Sequence, residues 1–186
     1  MIFFKKITYE DILPIWENDL WPKRQSEITS TSAMCLFKTK VIDEITGKYI
    51  AKEIYDLKNM EFTPTFWGAF HNDKLVGVNS GHMCVDKMYR SRGLYVSPDY
   101  RKQGIGQKLL MKTLAQATHE KAIICWSFPK KESWKTYSKI GFQLSHHLWI
   151  HDWEESETGI NARCSIILDL PQISRYYKNI SNSIYF

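Results

Sequence analysis

The densest chemistry in the chain lies in one run, Leu94-Tyr95-Val96-Ser97-Pro98-Asp99-Tyr100-Arg101-Lys102-Gln103-Gly104-Ile105-Gly106-Gln107-Lys108-Leu109-Leu110, with two glycines where a strand-like pattern hands over to a helical one. Glycine lets the backbone approach a ligand closely, and the first turn of a helix presents unpaired N–H groups at the positive end of its dipole. Together they form a cradle for an anion, and Arg101 and Lys102 beside it add charge suited to phosphate. Two better-known phosphate loops are excluded. A Walker loop requires Gly-Lys followed by Ser or Thr, and the dinucleotide fingerprint requires a third glycine where this chain has Leu109.

The pattern Arg101-x-x-Gly104-x-Gly106, after a strand ending Val96-x-Pro98, resembles motif A of the GNAT N-acetyltransferase superfamily, whose loop holds the pyrophosphate of acetyl-CoA. One strand later, Trp134-Lys135-Thr136-Tyr137-Ser138-Lys139-Ile140-Gly141-Phe142 resembles that family's Leu-Tyr-x-Lys-x-Gly-Phe segment. The resemblance covers residues 66–170, with residues 2–20 as the expected first strand and helix. It implies an α+β fold: a central, mostly antiparallel sheet of about seven strands, splayed in the middle, with flanking helices.

The same resemblance implies roles for particular residues. The backbone of Leu94, Tyr95 and Val96 would meet the pantetheine arm and the acetyl carbonyl, although simple core packing is the alternative for their side chains. Arg101, Lys102, Gln103, Gly104, Ile105, Gly106 and Gln107 would cradle the pyrophosphate. Tyr137 aligns with the tyrosine that many members use to protonate the departing CoA thiolate; because a free phenol titrates above a thiol, a hydrogen bond to the developing thiolate is an equal alternative to full transfer, and a further alternative places Tyr137 in a core stripe with Trp134 and Ile140. The asparagine common near the start of that helix is replaced by Lys130 or its neighbours.

Relatives often carry a basic Glu or His two or four residues before the Leu94 position, where this chain has Arg92 and Arg90. Alternation along a strand puts both arginines on the Leu94 face, and a guanidinium cannot serve as a base. The base is left open between a water chain, His82 and His71. Two arginines facing a pocket are costly to desolvate without an anion, so Arg90 and Arg92 point to an amine acceptor carrying a carboxylate or phosphate. The competing expectation is that Asp86 or Glu27 already neutralises them. Cys125 sits among apolar neighbours, which argues against an acyl-cysteine.

The elements that must position these groups follow from pattern. Strands are expected over residues 2–8, 66–70, 75–84, 88–96, 122–128, 142–151 and 162–170, with the second to fourth forming an antiparallel meander. Helices are expected from Tyr9 to Leu20, from Gly104 to about His119, and over residues 131–140, the last closed by Gly141. Residues 21–63 are expected to hold a helix and irregular loops.

The chain of 186 residues carries 25 basic against 20 acidic groups and 44% hydrophobic residues, which suits one domain able to bury a core without disulfides. That domain divides into residues 1–65 (first strand, helix and acceptor-side region), 66–170 (CoA-binding and catalytic core) and 171–186 (tail). Cys35, Cys84, Cys125 and Cys164 show no ligand or redox spacing. His146, His147 and His151 lack a third ligand on one strand face, so no metal is expected. No apolar run approaches the ~20 residues that span a bilayer, and Lys5 and Lys6 interrupt the apolar start too soon for a signal peptide, so a cytosolic protein without membrane contact is expected.

The leading function is direct transfer of the acetyl group of acetyl-CoA to an acceptor amine. A CoA-binding sensor without turnover is the alternative. Nucleic-acid binding, suggested by Trp126, Trp134, Trp149 and Trp153, lacks a recognisable basic groove. A homodimer is compatible with the sequence.

Overall fold

The computed structural model describes residues 1–31, 38–42, 45–46, 49–53, 62–84, 87–144 and 166–169. The chain opens with strand β1 (Ile2–Ile7) and helix α1 (Tyr9–Ile15). Thr8 starts α1 with a capping box: its hydroxyl accepts from the Asp11 N–H and the Asp11 carboxylate accepts from the Thr8 N–H. The helix runs on into a π-helical turn (Trp16–Leu20), closed by the Trp21 N–H on the Trp16 carbonyl at 2.7 Å. That end agrees with the reading of the helix to Leu20.

Within residues 21–63 the described part holds a short 3-10 turn (Gln25–Glu27) and a hairpin of β2 (Lys38–Ile42) and β3 (Tyr49–Glu53), which forms its own two-stranded sheet and was not expected; residues 32–37, 43–44, 47–48 and 54–61, where the expected helix could still fall, lie outside the described residues. The β-branched residues Thr39, Val41, Ile42 and Ile50 favour a pleated strand, and the wider spacing of Val41, Ile45, Ile50 and Ile54 imitates a helical period.

The main sheet adds β4 (Thr65–His71), β5 (Lys74–Met83), β6 (Met88–Val96), β7 (Ile124–Ser127), β8 (Gln143–Leu144) and β9 (Ile166–Asp169). Its order is β1-β4-β5-β6-β7-β9-β8, and every neighbouring pair is antiparallel except β6 with β7. The expected meander is β4 to β6. Helix α2 (Ile105–His119) covers one face, burying Ile105, Leu109, Leu110, Leu114 and Ala117. Helix α1 and the π-helical turn after it cover the other through Ile12 and Trp16, which pack with Phe66 and Val78. Helix α3 (Trp134–Ser138) follows a 3-10 turn after β7 and ends before Gly141, whose φ of +105° is one that side chains other than hydrogen rarely adopt. The expected strand over residues 142–151 is seen as β8; its remainder, with His146, His147, Trp149, His151 and Trp153, lies outside the described residues, as do Cys35 and Cys164. Among the described residues no helix is long and apolar enough to cross a membrane.

Candidate active site

Strands β6 and β7 pair only at Met88 with Ile124, Tyr89 with Cys125 and Arg90 with Trp126. Beyond that point β6 continues to Val96 while β7 stops at Ser127, so the two strands part and open a cleft. Leu94 and Gly93 of β6, Ser127 at the end of β7 and Tyr137 of α3 line it. This is the splay expected from the sequence.

A bulge in β6 shapes the cleft. Tyr95 faces Val78 and Arg92 faces Ser80 across the β5–β6 ladder, so Gly93 and Leu94 together oppose Asn79. Ser91 faces α2, because it bonds to Asn79, which bonds to Thr113 of α2. Arg92 faces α1, stacked 4.8 Å over the rings of Trp16 and Trp21. Gly93 also faces α1: its φ is +74°, and a Cβ there would lie 2.4 Å from the Trp16 ring. Leu94 then returns to the α2 face, beside Ile105 and Leu109. The expectation that Arg90, Arg92 and Leu94 share one face is therefore wrong for Leu94, because the extra residue at the bulge reverses the alternation. Trp16 fixes the bulge by donating its indole N–H to the Gly93 carbonyl at 3.0 Å.

From Val96 the chain passes through a 3-10 turn (Pro98–Tyr100) into the glycine loop. Lys102 (φ +62°) and Gly104 (φ +77°) both adopt left-handed backbone, and Gly104 caps α2 with no side-chain bond to the helix. A Cβ on Gly104 would find only Gln107 Oε1 at 3.9 Å, so the space over this turn is open enough for a phosphate. Gly106 answers a different need: a Cβ there would come within 3.3 Å of Thr136 in α3. The buried Ile105 side chain leaves only its backbone for a ligand. Arg101 is exposed, with its Nε on the Val96 carbonyl at 2.9 Å and its guanidinium 5.8 Å from the Tyr95 ring. Gln103 turns its side chain back to the Asp99 carbonyl. The side chains of Leu94 and Val96 pack toward α2 and that of Tyr95 toward α1, so any contact these residues make in the cleft falls to their backbone.

Tyr137 is buried, and its hydroxyl lies 3.2 Å from Ser127 Oγ. Burial raises its pKa above the ordinary phenol value, against the opposing effect of hydrogen bonds from Ser127 and Ser91. It is thus a neutral phenol beside the parted strands. It also packs edge-on to Phe142, so the core-stripe role and a place in the cleft coincide. Cys125 is fully buried, and desolvation pushes its thiol far above the usual range, which removes the acyl-cysteine.

Arg90 and Arg92 both line the cleft. Arg90 is buried, 4.8 Å over the Trp126 ring, and Arg92 donates to the Thr29 carbonyl at 2.7 Å. Glu27 lines the same cleft and forms an ion pair with Arg24 at 2.7 Å; Asp86 lies outside the described residues. His71 contacts Tyr100 at the β4–β5 turn, away from the cleft, and His82 is buried in β5 opposite Arg90. Trp126 is buried, which leaves it no face for stacking a base. Among the described residues no cluster of His, Cys, Asp or Glu could hold a metal ion.

Sequence reasoning missed Trp16, Gly93, Ser91 and Ser127 as parts of this site. An isolated glycine inside a strand pattern does signal a bulge, so Gly93 was legible. Nothing in sequence spacing links Trp16 to it, 77 residues away.

The sequence pattern of the acetyltransferase (GNAT) family matches residues 31–142. Solved structures share the fold at low identity. A GNAT-family acetyltransferase from Staphylococcus aureus is 16% identical, with a TM-score of 0.54 over 91% of this chain and 99% of that one. The PaiA N-acetyltransferase from Thermoplasma acidophilum, in complex with coenzyme A, is 13% identical with a TM-score of 0.54, over 91% and 99% of the two chains. An IAA acetyltransferase from Bacillus cereus is 12% identical, with the same TM-score and coverage. No curated protein sequence matches the chain. The chain belongs to the GNAT acetyltransferase family, whose chemistry is acyl transfer.

Proposed function

We propose that the protein transfers the acetyl group of acetyl-CoA directly to an acceptor amine, with both substrates held at once in the cleft between β6 and β7. The observation that carries this reading is the buried, neutral phenol of Tyr137 beside the point where the strands part. The glycine loop at the head of α2 lies at the far end of β6, in position to receive the pyrophosphate on the backbone of residues 102–107, with Arg101 and Lys102 supplying charge. The backbone of Leu94, Tyr95 and Val96 receives the pantetheine arm and the acetyl carbonyl.

The amine nitrogen attacks the thioester carbon, forming a C–N bond and an oxyanion that a β6 N–H stabilises. Collapse breaks the C–S bond, and Tyr137 gives its proton to the departing thiolate. The amine's proton passes to water, since the guanidinium groups of Arg90 and Arg92 cannot accept it and His71 lies away from the cleft. At the acceptor end, Arg90 and Arg92 are held rigid by their aromatic neighbours, which suits a forked grip on a carboxylate or phosphate of the amine substrate.

Thiol release from acetyl-CoA, measured over a panel of amines, amino acids and peptides, tests the proposal. Release that depends on the amine and yields its acetylated product is expected. Tight acetyl-CoA binding with no release for any amine would instead make the protein a CoA sensor.

A further inference from the structure

Tyr137 stands at the end of a chain of buried polar side chains that crosses the sheet from α2. Asn79 Nδ2 donates to Thr113 Oγ1 at 2.8 Å and to Ser91 Oγ at 3.1 Å, while Thr113 donates onward to the Leu109 carbonyl. Ser127 Oγ lies 2.9 Å from the Ser91 carbonyl and 3.2 Å from the Tyr137 hydroxyl. Asn79, Ser91, Thr113 and Ser127 are all at most 3% exposed. Buried polar groups are costly unless bonded, and a small apolar side chain at 127 would continue the apolar run of β7 at lower cost.

We propose that Ser127 is a positioning residue for Tyr137 that turns its proton toward the phenol oxygen as Tyr137 loses its own; this rests on Tyr137 being the acid. A serine hydroxyl has one proton to give. While the phenol is neutral, that proton goes mainly to the nearer Ser91 carbonyl, at 2.9 Å against 3.2 Å for the phenol oxygen, and the phenol's own proton points to the sulfur. As the phenol proton moves to the leaving sulfur, the oxygen left behind gains negative charge and becomes the stronger acceptor, so the serine proton turns to it. No atom is gained or lost: the S–H bond forms as the phenol O–H bond breaks.

The test is a double-mutant cycle with the amine substrate saturating. Ser127→Ala is expected to lower kcat about tenfold, the worth of one hydrogen bond to a charged group, with KM for acetyl-CoA unchanged. In a Tyr137→Phe background it is expected to add no further loss, because the group it serves is gone. Ser127→Thr against Ser127→Val, equal in shape and differing in the hydroxyl, is expected to show the same tenfold ratio even if both are less stable than the native chain. Equal losses in both backgrounds, no loss in the first, or equal rates for Thr and Val would overturn the proposal. Wild-type turnover in Tyr137→Phe overturns instead the assignment of the acid.

Discussion

On the side of the cleft proposed for acetyl-CoA, residues 94–107 would work mainly through their backbone, with Arg101 and Lys102 adding charge from exposed side chains. On the side proposed for the acceptor, Trp21, Arg24, Glu27 and Arg92 build the wall from long side chains, with Trp16 buried behind Arg92. A backbone site depends on few residue types, chiefly glycine at set intervals, and it tolerates sequence change elsewhere. A side-chain wall changes with every substitution. Under the proposed function, chemistry common to the family belongs to the first side and choice of acceptor to the second.

The largest expected effect tests where the two sides meet. Gly93→Val puts a branched side chain at φ +74° and against the Trp16 ring, and is expected to cost about 3 kcal/mol or more of stability, read as the denaturant midpoint. A midpoint within error of the native chain would mean that the bulge does not join the sides.

Tyr137→Phe comes next. It is expected to lower kcat by about a hundredfold while acetyl-CoA binding persists. Its pH behaviour sharpens the claim, because a raised pKa keeps the phenol protonated throughout the neutral range. This group should cause no fall in kcat below about pH 10. The sign for stability is the same: the contribution is complete below the unfolded phenol's value and is lost as pH rises through the higher folded value, because the unfolded chain gives up the proton first. An alkaline limb near about pH 8 that vanishes in Tyr137→Phe would contradict the raised value.

Arg92→Met should raise KM for the acceptor by about tenfold and leave KM for acetyl-CoA nearly unchanged. An equal rise in both would remove the division between the sides. The smallest effect belongs to Gly104→Ala. The new methyl has room, so its cost is the left-handed backbone, about 1 kcal/mol in thermal or denaturant melts.

The same contrast explains what could be read from the sequence. The meander, α2 and the glycine loop were legible because strand and helix periods and glycine positions are local signals. Tyr137 was legible through the motif around it, but its partners Ser127 and Ser91 were not, since a lone serine in an apolar strand has no spacing to announce a contact ten residues away. The hairpin within residues 21–63 was not legible because apolar residues four and five apart fit a helix loosely, while the structure pairs Val41 with Ile50 across β2 and β3. The facing of Leu94 failed for one reason: alternation holds only until a bulge inserts a residue.

The most direct test of the division is an amide NMR titration with acetyl-CoA. The account predicts the largest shifts at the N–H groups of Leu94 to Val96 and of Lys102 to Gln107, with those of Arg24 and Glu27 little moved. Shifts centred on Arg24, Glu27 and Thr29, with the glycine loop unchanged, would contradict it.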